Sequence, residues 1–178
     1  MTYQAEFIHQ VVYWEQPSFW HNAYVLRSPM GELGRLVFPS FWRQTGEATC
    51  MSHRWTFNCR GFFRQSMVAQ EAGTESIVAT YYPHTWSANG ELETALGRHY
   101  QFKVNFWQTQ QDVLTPGGDL LLRFRLHSGF KTGAEVEISP SARSLHDLPL
   151  LLTLGLYVAI IRENHNGAAV AATAGAAS

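Results

Sequence analysis

The stretch DLPLLLTLGLYVAII, residues 147–161, decides the fold. No residue from Leu148 to Ile161 carries a charge. A membrane-spanning helix needs about 20 apolar residues to cross the hydrocarbon. This run, as a helix rising about 1.5 Å per residue, covers only about 21 Å. Asp147 is suited to cap a helix that starts here, and Pro149 is tolerated in its first turn, where no N–H partner is lost. Arg162 at the far end suits the helix dipole. Such a helix is apolar all round, so it must be surrounded on every side. Gly155 and Ala159 lie four apart on one face. They fit either a small-residue dimer motif in a membrane or a close approach of another element inside a core. The shortness of the run favours the core.

An enclosed helix needs a wall, and the preceding residues supply strands. In YQFKVNF, Tyr100, Phe102, Val104 and Phe106 alternate with Gln101, Lys103 and Asn105. That period of two marks a half-buried strand. RWTFNC sets Trp55, Phe57 and Cys59 against Arg54, Thr56 and Asn58. LRFRLH sets Leu122, Phe124 and Leu126 against Arg123, Arg125 and His127, and ELETAL sets Leu92, Thr94 and Leu96 against Glu91 and Glu93. Less regular strands are predicted near 7–14, 23–28, 33–38, 62–69, 75–82 and 133–138. Turn residues separate them: Pro29-Met30-Gly31, Ala72-Gly73, Asn89-Gly90, Gly97 and Pro116-Gly117-Gly118-Asp119. Asn89-Gly90 is the strongest signal, because a tight type I′ turn needs positive φ at both central positions. The fold class that follows is mainly β: an antiparallel β-barrel wrapped around one hydrophobic C-terminal α-helix. The barrel domain is expected over 1–163, with its helix at about 148–162. An Ala-rich flexible tail is expected over 164–178.

Composition narrows the function. The chain has 178 residues, 46% hydrophobic and 15% charged, enough for a sizeable core. Its net charge is −1, which argues against a nucleic-acid binder. Two cysteines, Cys50 and Cys59, are too few for a disulfide scaffold. The opening MTYQAEFIHQ lacks the basic and apolar regions of a secretory signal, so a reducing cytoplasm is the expected compartment, with membrane association as the second reading.

The strands RWTFNCRGFF, YQFKVNFW and DLLLRFRLHSGFKTGAEVEISP, followed by LPLLLTLGLYVAII, resemble the tubby C-terminal-like group over about residues 5–163. That group includes the plant LURP-one-related proteins and the phospholipid scramblases. The resemblance implies a barrel of roughly twelve strands threaded by a hydrophobic helix. It also implies a protein that is not an enzyme. The group's animal members bind phosphoinositides through basic residues, but no such residue can be carried over to a position in this chain.

Catalytic and metal signatures are weak. Cys50, His53 and Cys59 form a C-x2-H-x5-C set, but strand geometry would hold His53 and Cys59 roughly 20 Å apart. No cofactor is implied, since phosphate-, dinucleotide- and nucleophile-elbow motifs are absent from the sequence. Ser144, His146 and Asp147 are neighbours in sequence, which does not make a triad; Ser144 and Asp147 read as helix-start residues. Glu91 with Glu93 and Glu135 with Glu137 follow the polar parity of their strands and read as solvated faces. Arg123 and Arg125 are expected to face Glu137 and Glu135 across a hairpin.

Two features remain as binding candidates. Arg43, Arg54, Arg60, Arg64 and Lys103 form a candidate anion or phospholipid set, with an ordinary solvated face as the plainer account. The tetrapeptide PSFW occurs at 17–20 and again at 39–42. A hairpin between them would bring Phe19, Trp20, Phe41 and Trp42 to one rim, with His21 and Arg43 beside them. Those rings either cap the core or form an exposed docking patch. The sequence therefore points to a non-catalytic barrel binding a lipid headgroup, a small ligand or a protein partner. The alternatives are a peripheral or tail-anchored membrane protein using the C-terminal helix, and an enzyme with a pocket at a barrel rim.

Overall fold

The computed structural model describes residues 11–17, 22–39, 44–61, 65–127 and 133–175, with side chains as far as 165. Twelve strands and one helix follow one another along the chain. The first six strands are β1 (Val11–Glu15), β2 (Ala23–Ser28), β3 (Gly31–Val37), β4 (Gly46–Cys50), β5 (His53–Arg60) and β6 (Ser66–Glu71). The second six are β7 (Ile77–Pro83), β8 (Gly90–Thr94), β9 (His99–Val104), β10 (Gln110–Leu114), β11 (Leu120–His127) and β12 (Gly133–Ile138). The helix is α1 (Leu148–Gly175). Each strand pairs antiparallel with the next, and β1 closes the ring on β12, with Val11 opposite Glu137. Closure leaves no strand edge unpaired.

The apolar run fills the lumen. Every residue from Leu148 to Ile161 is buried. Inward strand residues meet it from all sides, including Trp14, Phe57, Phe102 and Phe124. The helix backbone is also tied to the wall. The Trp14 indole N–H donates to the Leu152 carbonyl at 3.3 Å, and Gln111 donates to the Gly155 carbonyl at 2.9 Å. Gly155 has no room for a side chain, because a Cβ there would collide with the Phe124 ring. The small residue thus serves close packing against a strand within one chain.

Several local expectations need correction. Strands β4 and β10 were not legible. In β4 the inward positions are Gly46, Ala48 and Cys50, too small to give an apolar signal. In β10 one inward position is the fully buried Gln111, whose amide also accepts from Arg162 at 2.9 Å. Asn89-Gly90 is not a turn. The β7–β8 connection runs from 84 to 89, and Gly90 pairs with Pro83 inside the barrel. Gly90 is needed for space, since a Cβ would enter the Tyr81 ring. A tight turn does occur at Met51-Ser52, with φ of 47° and 78°, where no glycine advertised it. Leu96 and Phe106 lie beyond their strands and are exposed, at 74% and 88%. Helix α1 continues past the expected end near 162 as far as Gly175, into the segment expected to be a flexible tail. Alanine has the highest helix propensity, so an Ala-rich run can extend a helix already nucleated in a core.

Asp147 also differs from the expected cap. Its carbonyl accepts the first helical bond from Leu151 at 2.9 Å. Its carboxylate points elsewhere, to Arg98 Nη2 at 2.5 Å and the Tyr100 hydroxyl at 2.8 Å. The helix start is thereby pinned to β9 and the connection before it.

Two substitutions test this packing. Leu154→Asp should abolish cooperative folding, because it places an unpaired charge where Leu154 is fully buried. A wild-type-like thermal melt followed by circular dichroism would refute it. Gly155→Leu should lower stability by about 1–3 kcal/mol or more through overpacking against Phe124, read from the urea midpoint.

Candidate functional site

The barrel has two ends of different character. At the end where α1 begins, the described connections at 29–30, 51–52, 72–76, 95–98, 115–119 and 139–147 contain no Phe, Tyr or Trp. At the end where α1 leaves, two fully described connections carry three exposed rings. Trp86, in the β7–β8 connection, is 97% exposed; Phe106 and Trp107, between β9 and β10, are 88% and 78% exposed. Large exposed aromatics at one end of a barrel make that end a candidate contact region.

These loops are built to hold their rings outward. The Asn105 side chain accepts from the Gln110 N–H and donates to the Thr109 hydroxyl, both at 3.0 Å. Gln108 takes a left-handed φ of 56° and its N–H donates to the Asn105 carbonyl at 2.9 Å. The tip between them therefore projects Phe106 and Trp107, whose rings meet edge to face at 5.1 Å. The neighbouring loop is tied to this one: the Asn89 side-chain oxygen accepts from the Val104 N–H at 2.9 Å. The sequence pattern missed this site because Phe106 continues the alternation of β9 by one false step.

The strands between the two PSFW segments form a hairpin. Ala23 pairs with Val37, and the Phe38 N–H donates to the Asn22 carbonyl at 2.7 Å. The hairpin β2–β3 thus returns the chain to the rim from which α1 emerges. Phe19, Trp20, Phe41 and Trp42, with His21 and Arg43, lie outside the described residues.

The candidate basic set is not assembled into one patch among the described residues. Arg43 and Arg64 lie outside them. Arg54 and Arg60 are exposed but stand near opposite ends of β5, roughly 20 Å apart at about 3.3 Å per residue. Lys103 is exposed on β9, four strands round the barrel, and its cross-strand partner is Asp112. Arg60 and Lys103 are both close to the end that carries the aromatic loops; Arg54 is at the other end.

The Arg–Glu ladder has the expected register, with Arg123 opposite Glu137 and Arg125 opposite Glu135. Its ion pairs are distributed differently. Arg125 bonds both Glu135 at 2.8 Å and Glu137 at 2.7 Å. Arg123 instead grips Asp112 of β10 with two bonds of 2.9 Å. With Lys103 of β9 opposite Asp112, the result is a row of alternating charge across four strands, so these arginines are neutralised.

The described residues first considered for chemistry are engaged elsewhere, exposed or buried. Asp147 is occupied by Arg98 and Tyr100, and Glu91 and Glu93 are exposed. Cys50 faces the core, and burial pushes its thiol up to about 12. Burial also raises Cys59, against the opposing effect of a 3.4 Å contact with the Tyr157 hydroxyl. Neither thiol is an activated nucleophile. Among the described residues no three His, Cys, Asp or Glu side chains converge as metal ligands.

No family model matches the chain, and no curated protein sequence matches it. An X-ray structure of a protein from Arabidopsis thaliana is similar, with a TM-score of 0.56 at 10% identity, covering 92% of this chain and 98% of that one. At that identity the likeness concerns the fold alone: the two share a barrel architecture over nearly their full lengths.

The buried phenol and thiol give a pH prediction. Burial lifts Cys50 from 9.0 and Tyr81 from 10.0 to about 12 each. Between those limits the folded chain keeps protons that the unfolded chain releases, so stability is fully present below about pH 9 and falls as pH rises. The unfolding free energy from urea titrations should decline from about pH 9 upward, by up to about 1.4 kcal/mol per pH unit for each group. A flat profile to pH 11 would contradict the burial of both groups.

Proposed function

We propose that the protein is a non-catalytic barrel of the tubby C-terminal-like type that docks on a phospholipid surface through the rim where its helix leaves. The twelve-stranded ring with a threaded apolar helix, and the likeness to the plant structure, support this family reading at the level of fold. The observation that carries the docking reading is the outward projection of Trp86, Phe106 and Trp107 from two hydrogen-bonded loops at one end. Three rings at loop tips can touch one plane together, and Trp favours the bilayer–water interface. Arg60 and Lys103 flank that end and would add attraction to anionic lipid.

The apolar run of α1 takes no part in this docking, because the barrel already buries it from Leu148 to Ile161. No described helix is long and apolar enough to cross a membrane. The attachment is therefore peripheral, through loops.

Co-sedimentation with phosphatidylcholine vesicles, with and without phosphatidylserine, tests the reading. Wild type should pellet with vesicles, and the triple variant W86A/F106A/W107A should lose at least tenfold in partitioning while keeping its melting temperature. R60Q/K103Q should weaken only the phosphatidylserine-dependent part. Equal partitioning of wild type and the triple variant, or none by wild type, would refute it.

A further inference from the structure

The end where α1 begins holds a cleft of about 490 Å³ formed by described residues alone. Its apolar lining includes Trp55, Val78 and Leu150. The His53 ring stacks on Trp55 at 5.5 Å with 10° between planes, and the His146 ring lies 6.1 Å from His53. Turn geometry sets this cluster: the strained pair Met51-Ser52 delivers His53 to the mouth of β5, and His146 directly precedes the helix start.

The charged groups of the cleft are unevenly engaged. Both oxygens of Asp147 are engaged, by Arg98 and by Tyr100. Arg98 remains 40% exposed, but its Nε is buried and does not face the cleft. Arg54 borders the cleft, and its side chain makes no hydrogen bond or ion pair among the described residues. The other carboxylate at the border is Glu71. Arg98 and Asp147 neutralise each other, and His146 Nδ1 lies 3.9 Å from Asp147 Oδ1. The donors that remain are the guanidinium of Arg54 and the imidazoles of His53 and His146, each imidazole offering an N–H even when neutral, against the carboxylate of Glu71.

A pocket with an apolar lining and a few convergent donors selects a ligand with an apolar body and an acceptor head. We propose that this cleft binds a small organic anion, a carboxylate or a phosphate ester, carried on an aromatic or other flat apolar body. The head is held by Arg54 and the imidazoles of His53 and His146, since a guanidinium matches either acceptor group with two bonds. The body lies against Trp55 and Leu150. This site is at the opposite end from the docking rim and does not depend on it.

Backbone amide NMR titration tests the inference with five probes: benzoate, phenyl phosphate, inorganic phosphate, benzyl alcohol and benzylamine. Benzoate or phenyl phosphate should shift resonances around Trp55, Leu96 and Leu150, at least fivefold more tightly than benzyl alcohol or benzylamine. Whichever of the two anions binds tighter identifies the head group. Inorganic phosphate should bind more weakly than phenyl phosphate. The variant H53Q/R54Q/H146Q, changed only at exposed positions, should reduce the anion to the affinity of the alcohol. Equal affinity for charged and neutral probes, phosphate binding as well as its phenyl ester, shifts mapping elsewhere, or undiminished binding by the variant would each overturn it. If the variant does not fold, the probe series on wild type decides the matter alone.

Discussion

One constraint organises the molecule: a helix apolar on every face cannot meet water on any of them. A single sheet can cover only one side of a cylinder. Closing twelve strands around it covers all sides and removes both sheet edges at once. The strands can then keep an ordinary alternation, with Trp14, Phe57 and Phe124 inward and charged residues outward. The same constraint explains the polar groups that remain inside. Gln111 is fully buried but satisfied, donating to the Gly155 carbonyl and accepting from Arg162. Left unpaired, such an amide would cost about 1–3 kcal/mol.

How legible this was depended on the size of the inward side chains. Where they are large, as in β5, β9 and β11, the period of two stood out and the strands were found within a residue or two. Where they are Gly46, Ala48 and Cys50, or the polar Gln111, the wall exists but the hydrophobic signal does not. Two glycines serve space. Asn89-Gly90 suggests backbone freedom in a turn, whereas the role of Gly90 is to leave room for Tyr81. For Gly155 the alternative of close packing in a core is the one the Phe124 ring realises.

The binding surfaces were less legible than the fold, for a related reason. Charge along a strand shows which residues face outward but not what faces them from the next strand. Arg123 faces Glu137 in the expected register, yet its hydrogen bonds go to Asp112 on β10, a strand the hydrophobic pattern does not announce. The basic set likewise looked coherent in sequence, yet curvature of the barrel sends Arg54 and Lys103 to different sides. The aromatic loops escaped because alternation does not announce where a strand ends. Asn105, with its local hydrogen bonds, is the residue that marks that end.

The order of elements along the chain has a consequence for assembly. The helix follows all twelve strands, so during synthesis every strand is made before the element that fills the space between them. The closing pair β1–β12 also joins the first and last strands of the array. Local hairpins can form early, but the ring has nothing to close upon until α1 arrives. Such a chain is dominated by contacts that mature late, and late contacts slow folding and lengthen the exposure of apolar strand faces. The nascent barrel therefore keeps apolar strand faces uncovered until α1 has been made. Truncation before the helix would leave an open sheet, with the two edges that the finished fold conceals.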